Sequence, residues 1–242
     1  IIGIGTLFTA QIPGLIDAAK LTRRFLPSSV IVVGGPHFSV KNESFLKAHQ
    51  EIDYIISGEG EYSFLELVQA LSAQKPTEKI AGLTFRHKNE SGDNKIRINP
   101  PSSIEELDEL PLPAYELIDM DHFFNLQAQG LKNRPYDNGR SVSIITSRGC
   151  PYDCIFCSVH LHMGKPIRTY SVENVLAHID NLVTNYGVEH FEFEDDNLTF
   201  YKKRTLMLFS ELAKRKYGIS WDTPNGVRFD TLKRPLLEAM KE

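Results

Sequence analysis

Two apolar runs that each stop at a glycine turn constrain the fold of this chain more than any other feature. Val30-Ile-Val-Val33 ends at Gly34-Gly35-Pro36, and Asp53-Tyr-Ile-Ile-Ser57 ends at Gly58-Glu59-Gly60-Glu61. An earlier run, Ile1-Ile-Gly-Ile-Gly5, is followed by Ile12, Leu15, Ile16 and Ala19 at helical spacing; Phe64, Leu67, Val68 and Leu71 share a face after the third run. Near-continuous apolar strands alternating with amphipathic helices predict an α/β fold with a parallel sheet covered on both faces. Ligands of such sheets sit beyond the carboxyl ends of the strands, where these turns fall. Neither turn has the G-x-G-x-x-G spacing of a dinucleotide site. Taken alone, the glycines serve equally well as tight strand-to-helix turns.

Downstream, Ile80–Arg86 and Lys95–Ile98 flank a polar turn around Ser91-Gly-Asp93 and predict a hairpin, closed by Pro100-Pro101. Leu107–Asp119 contains Pro111 and Pro113 and reads as an extended linker; residues 120–140, with Gly130, Pro135 and Gly139, predict irregular structure. From Ser141 a second α/β pattern begins. Val142-Ser-Ile-Ile-Thr146 predicts a strand. Ser171 caps a helix carrying Val172, Val175, Leu176, Ile179, Leu182 and Val183, and Gly187 ends it. The alternating Glu189–Glu194 predicts a strand that ends in Asp195-Asp196-Asn197, and a third unit runs from Ile219 through Asp230. The expected organisation is residues 1–105, a bridge over 106–140, and residues 141–242.

The chemistry is concentrated in one loop. The chain's only three cysteines, Cys150, Cys154 and Cys157, lie within eight residues. Their odd number and the lack of a visible secretory signal argue against a disulfide framework. Thiolates are the preferred ligands of iron–sulfur clusters, and three of them leave one iron of a four-iron cluster open to grip a substrate. A zinc site completed by His160 or His162 is the alternative.

Composition excludes little but fits a cytoplasmic enzyme. Apolar residues make up 41% of the 242, charged residues 24%, and the net charge is −4, which gives no electrostatic basis for nucleic-acid binding. No uninterrupted apolar run is long enough to span a bilayer. The chain begins without Met inside an apparent strand and ends in an apparent helix, so we expect a piece of a longer protein that lacks both ends.

The stretch from Ser143 through Arg148-Gly149, the three cysteines and Phe156 to Ser158 resembles the cluster loop of the radical S-adenosylmethionine enzymes. The resemblance implies that Cys150, Cys154 and Cys157 hold a 4Fe–4S cluster. The amino and carboxylate groups of S-adenosylmethionine would chelate the fourth iron, and one electron would cleave the sulfonium to release a 5′-deoxyadenosyl radical. The backbone near Phe156 would border the adenine. Phe193-Glu-Asp-Asp-Asn-Leu-Thr199 resembles the family's second-strand motif, which implies that Asp195 or Asp196 holds the cofactor's amino group; a solvated acidic turn capping the next helix is the other reading. Asn225 and Arg228 resemble the third-strand pattern and would line the cofactor or substrate pocket, although Arg228 equally fits a structural ion pair.

Val32–His37 and Ser57–Glu61 resemble the later strand ends of the cobalamin-binding domains that precede radical S-adenosylmethionine barrels. That resemblance implies a partial doubly wound, Rossmann-like domain followed by the first part of a partial (β/α) barrel. It places Thr6, Phe8, Thr9, Gly34, Gly35, Pro36, Gly58, Glu59 and Gly60 on the cobalamin side. The Asp-x-His-x-x-Gly signature is absent, so His37 reads as a loop histidine rather than a cobalt ligand. The implied activity is cobalamin-dependent methyl transfer to an unactivated carbon of a small-molecule substrate, with a flavodoxin or ferredoxin as reductant. Cyclisation or rearrangement without methyl transfer, and a non-catalytic zinc protein, are the other expectations.

Overall fold

The computed structural model describes residues 1–88, 92–130 and 139–241. In chain order the strands are β1 (Ile2–Gly5), β2 (Ile31–Gly34), β3 (Tyr54–Ile56), β4 (Leu83–Lys88), β5 (Asn94–Ile98), β6 (Ser141–Ile144), β7 (Ser147–Arg148), β8 (Arg168–Thr169), β9 (His190–Phe193) and β10 (Ser220–Asp222). The helices are α1 (Ile12–Phe25), α2 (Phe38–Ala48), α3 (Glu61–Ser72), α4 (Met120–Ala128), α5 (Val159–His162), α6 (Val172–Tyr186), α7 (Lys202–Arg215) and α8 (Arg234–Lys241). The chain divides into two units, residues 1–104 with 153–164, and residues 105–152 with 165–242.

The first unit is built on a sheet of order β1-β2-β3-β4-β5, in which β1, β2 and β3 are parallel and β4 and β5 form an antiparallel hairpin on the end. Ser91, at the tip of the expected hairpin turn, lies outside the described residues. Because side chains alternate across a strand, Ile31, Val33 and Ile55 face one way and meet Leu15, Ala19, Phe45 and Leu46 of α1 and α2. Val32 and Ile56 face the other way and pack with Leu67 of α3 and with Leu83 and Phe85. Both faces of β2 and β3 are therefore covered, as their uninterrupted apolar sequences require, while β1 at the sheet edge leaves Gly3 and Gly5 exposed; each fully buried Leu or Ile contributes about 1.5–3 kcal/mol. Arg86 on β4 secures the C-terminal end of α2. Its guanidinium donates to the carbonyls of Leu46, His49 (2.8 Å) and Ile52 (2.6 Å).

In the second unit β10, β9 and β6 form a parallel sheet in that order. Val142, Ile144, Phe191 and Phe193 pack against Val175, Leu176, Ile179 and Leu182 of α6 and Leu208, Phe209 and Leu212 of α7. Ser171 caps α6 by accepting from the Asn174 N–H at 3.1 Å, and Gly187 ends it at φ 62°. The opposite face is polar, with Ser143, Glu192 and Asp222 in register on the three strands.

The stretch read as a linker packs onto this unit. Tyr115 Oη and His178 Nε2 lie 2.9 Å apart, and burial pushes the tyrosine up to about 12 and the histidine below its ordinary value. The irregular structure expected over 120–140 is corrected in its first part, which forms α4. Asp119 caps that helix by accepting from the His122 N–H at 2.8 Å, and Met120 and Phe124, one turn apart, enter the core. Pro135 lies outside the described residues.

Candidate functional site

The cysteine loop begins where β6 ends. The next residues, Thr146 and Ser147, are fixed by a buried carboxylate from the end of β9. Asp195, only 1% exposed, accepts from the Thr146 N–H at 3.0 Å, from Thr146 Oγ1 at 2.8 Å and from Ser147 Oγ. Arg204 on α7 completes the arrangement by donating to the carbonyls of Thr146 at 2.9 Å and Tyr170 at 3.0 Å. Burial pushes the Asp195 carboxyl above the ordinary carboxylate range, against the opposing pull of these donors and of Arg204. A carboxylate so engaged fixes backbone; its oxygens already have partners within the fold.

Asp196 differs from its neighbour. It is half-buried, no hydrogen bond engages it among the described residues, and burial, followed by the adjacent Asp195, pushes it up to about 6. Beside it, Asn197 is 4% exposed, and neither its Oδ1 nor its Nδ2 has a partner among the described residues. A buried primary amide with both ends unmet is costly unless something binds it. Sequence reasoning singled out the two carboxylates and passed over this amide. Its only signal was its place directly after them at a strand's carboxyl end.

Past Gly149 the loop carries its three thiols, none of them in a disulfide; Cys150 and Cys157 are half-buried and Cys154 is exposed. The Cys157 N–H donates to the Cys154 carbonyl at 3.0 Å, which closes a turn with Ile155 and Phe156 at its tip. Phe156 is 89% exposed and Ile155 fully so. Among the described residues no three His, Cys, Asp or Glu side chains gather closely enough to hold a single metal ion. A four-iron cluster takes one thiolate per iron, so its ligands need not meet at one point. Three free thiols on one short loop are the right donor set for it.

Asn225 and Arg228, from the segment after β10, are both engaged. Asn225 Nδ2 donates to the Glu194 carbonyl at 2.9 Å, and Arg228 forks onto Asp230 at 3.0 and 3.1 Å while its guanidinium lies 3.9 Å from the centre of the Tyr152 ring.

In the first unit a cleft of about 380 Å³ lies at the carboxyl ends of β1, β2 and β3. Gly34, Gly35, Gly58 and Gly60 line it, and so do Gly3 and Gly5 of β1, whose alternation in the first apolar run was the available signal. Two of these positions admit no side chain. Gly35 has φ 117°, and a Cβ there would collide with the Thr6 carbonyl oxygen; Gly58 has φ 77°, and a Cβ would come within 2.8 Å of Pro101. The result is bare backbone around an apolar cleft, a shape that suits a large planar ligand edge.

The other residues expected on this side are not in the lining. Phe8 is 65% exposed, and Pro36 lies just past Gly35 at the start of the turn into α2. Thr9 Oγ1 and His37 Nδ1 lie 3.1 Å apart, and the His37 ring packs edge-on against Phe38, consistent with a loop histidine. Glu59 is buried and its carboxylate accepts from the Ile104 N–H at 2.7 Å, which turns it into the unit's own backbone. Thr6 is buried with its Oγ1 unpartnered among the described residues.

The family model described as "B12 binding domain" matches residues 1–68, and that of the "Radical SAM superfamily" matches residues 144–242, which takes in all three cysteines. The chain is 35% identical over 243 residues to an uncharacterized methyltransferase of Pyrococcus horikoshii, with 100% of this chain and 49% of that protein covered. It is 28% identical over 264 residues to the cytidylyl-2-hydroxyethylphosphonate methyltransferase of Streptomyces wedmorensis, covering 100% and 48%. The chain thus spans about half the length of the curated relatives it matches. Among solved structures, the cobalamin-dependent S-adenosylmethionine radical enzyme OxsB, with aqua-cobalamin and S-adenosylmethionine bound, superposes with a TM-score of 0.71 at 22% identity, over 92% of this chain and 30% of that one. The radical domain's match across the cysteine loop favours iron–sulfur ligation over zinc. The cofactors that go with the two matched domains are a 4Fe–4S cluster, S-adenosylmethionine and cobalamin. The chain belongs to the radical S-adenosylmethionine proteins that carry a cobalamin-binding domain ahead of the radical domain.

Proposed function

We propose that the protein transfers a methyl group from cobalamin to an unactivated carbon of a small-molecule substrate by radical chemistry. The observation that carries this reading is the presence, on one chain, of a free three-thiol loop at a strand end and a glycine-lined cleft at the end of a parallel sheet. When bound, the cluster and S-adenosylmethionine supply a hydrogen-abstracting radical and cobalamin supplies the methyl group; the protein supplies position and the exclusion of water.

Cys150, Cys154 and Cys157 are the cluster ligands in this reading. Asp196 takes the ammonium group of S-adenosylmethionine, because it is the neighbour whose carboxylate is unengaged, and Asn197 offers a donor and an acceptor beside it. Asp195 serves the fold rather than the ligand. Gly34, Gly35, Gly58 and Gly60 let cobalamin approach the strand ends, with the Thr6 hydroxyl available for one hydrogen bond. The electron comes from a flavodoxin or ferredoxin, and the compartment is a reducing cytoplasm, where three free thiols persist. No helix among the described residues is long and apolar enough to cross a membrane.

The test is anaerobic turnover with a strong reductant, S-adenosylmethionine, methylcobalamin and a broad substrate panel. Deoxyadenosine and S-adenosylhomocysteine formed together with a methylated product support methyl transfer. Deoxyadenosine without S-adenosylhomocysteine or methylated product points to cyclisation or rearrangement, and neither product from a fully loaded protein rejects the radical reading.

A further inference from the structure

Tyr152 stands midway between Cys150 and Cys154, two residues from each. Its ring is held on two sides. The Arg228 guanidinium carbon stacks 3.9 Å from the ring centre, and Phe200 meets the ring edge-on at 6.2 Å and 78°. Arg228 itself is presented from a braced segment. Thr231 Oγ1 and Thr199 Oγ1 lie 2.6 Å apart in a buried contact, Asn225 is tied to the Glu194 carbonyl, and the fork onto Asp230 fixes the plane of the guanidinium. Both partners of the stack lie in the same unit.

A cation over the face of a tyrosine is attracted by the ring quadrupole, and arginine adds planar stacking that lysine lacks. The contact therefore ties the Cys150–Tyr152 end of the cysteine loop to the segment that carries Arg228. Pro151, beside the tyrosine, narrows the backbone that must be held. We propose that Arg228 is a positioning residue, which by stacking on Tyr152 fixes the Cys150–Tyr152 segment and so governs access to the Cys150 thiol in the apo protein and cluster retention in the loaded one. The second half of this statement rests on the iron–sulfur reading above; the first does not.

The experiment compares wild type with Arg228→Met, Arg228→Lys, Tyr152→Leu and Tyr152→Phe in two measurements. The first is the alkylation rate of each cysteine by iodoacetamide in the apo protein, resolved by mass spectrometry. The second is the rate of iron loss to a chelator from the anaerobically reconstituted protein without S-adenosylmethionine. Arg228→Met and Tyr152→Leu are expected to raise alkylation at Cys150 about fivefold, the factor that ~1 kcal/mol carries, and to speed iron loss similarly. Cys154 and Cys157, which share a hydrogen-bonded turn, should change least, and Tyr152→Phe, which keeps the aromatic face, should stay within twofold of wild type. Arg228→Lys should fall between, since it keeps the charge and loses the planar stack.

Equal acceleration at all three cysteines would indicate general loosening and overturn the proposal. So would unchanged rates in Arg228→Met, because the stack would then hold nothing in the loop. If wild type takes up no iron, the cluster reading fails while the alkylation pattern still decides the clamp.

Discussion

Replacing Asp195 is the sharpest test of how the cysteine loop is held. The carboxylate is 1% exposed, takes three hydrogen bonds from Thr146 and Ser147, and stands opposite Arg204. Asp195→Ala leaves the buried Thr146 N–H and the Thr146 and Ser147 hydroxyls without their acceptor. An unmet buried donor costs ~1–3 kcal/mol, and the hydroxyls can turn to other partners while the N–H cannot, so ~3 kcal/mol is expected for the set. Asp195→Asn keeps the shape and one acceptor, sets its amide N–H against a donor at the other position, and should cost ~1.5 kcal/mol. All these contacts lie in the second unit, so its thermal transition should fall by about 10 °C for the alanine variant and about half that for asparagine at pH 7.

Calorimetry or circular dichroism reads these shifts. A fall of less than 2 °C for Asp195→Ala would refute the reasoning. The pH dependence offers an independent check. Because burial raises the folded pKa of Asp195, the folded state holds this proton more tightly than the unfolded one. Its contribution is fully present below the unfolded value near 4 and is lost as pH rises through the folded value. Asp195→Asn should remove that part of the slope.

Asp196, held at about 6 by burial and by Asp195, must ionise to attract an ammonium group, so S-adenosylmethionine affinity measured by calorimetry should weaken as pH falls through 6 and flatten in Asp196→Asn. Gly35→Ala sets a Cβ against the Thr6 carbonyl at φ 117°; we expect the first unit to lose at least ~2 kcal/mol and cobalt content to drop after reconstitution with hydroxocobalamin, both measurable on one sample. Ser171→Ala removes the N-cap of α6 and should lower stability by ~1 kcal/mol without altering cluster content, which denaturant melts and iron assay together check.

What the sequence revealed, and what it concealed, follows from the range of the interactions involved. Strands β1, β2 and β3 were legible because a parallel sheet buries both faces and leaves an unbroken apolar signature. The caps of α6 were legible because a serine and a glycine act within their own turns. Helix α2 was not read at all. Its polar stretch carries Phe38, Phe45 and Leu46 at uneven spacing, and the backbone breaks at Lys41, with φ −126° and ψ 28°. Helix α4 was hidden by the glycines and proline that follow it, although Asp119 and the Met120–Phe124 pair were there to be seen.

The three cysteines announced themselves by spacing. The different engagement of Asp195 and Asp196 could not, since it depends on Thr146 and Ser147, 49 and 48 residues from Asp195. Glu59, which the resemblance places on the cobalamin side, accepts from the Ile104 N–H, 45 residues on. Local chemistry is written locally, whereas whether a carboxylate is engaged by the fold is decided by distant chain.

The most direct test of the account is anaerobic reconstitution, with iron, sulfide and cobalt quantified and electron paramagnetic resonance of the reduced protein recorded with and without S-adenosylmethionine. The account predicts four irons and four sulfides per chain, bound cobalt, and a spectrum that changes when S-adenosylmethionine is added, with iron lost in Cys150→Ser, Cys154→Ser and Cys157→Ser. Zinc in place of iron, or a cluster whose spectrum ignores S-adenosylmethionine, would contradict it.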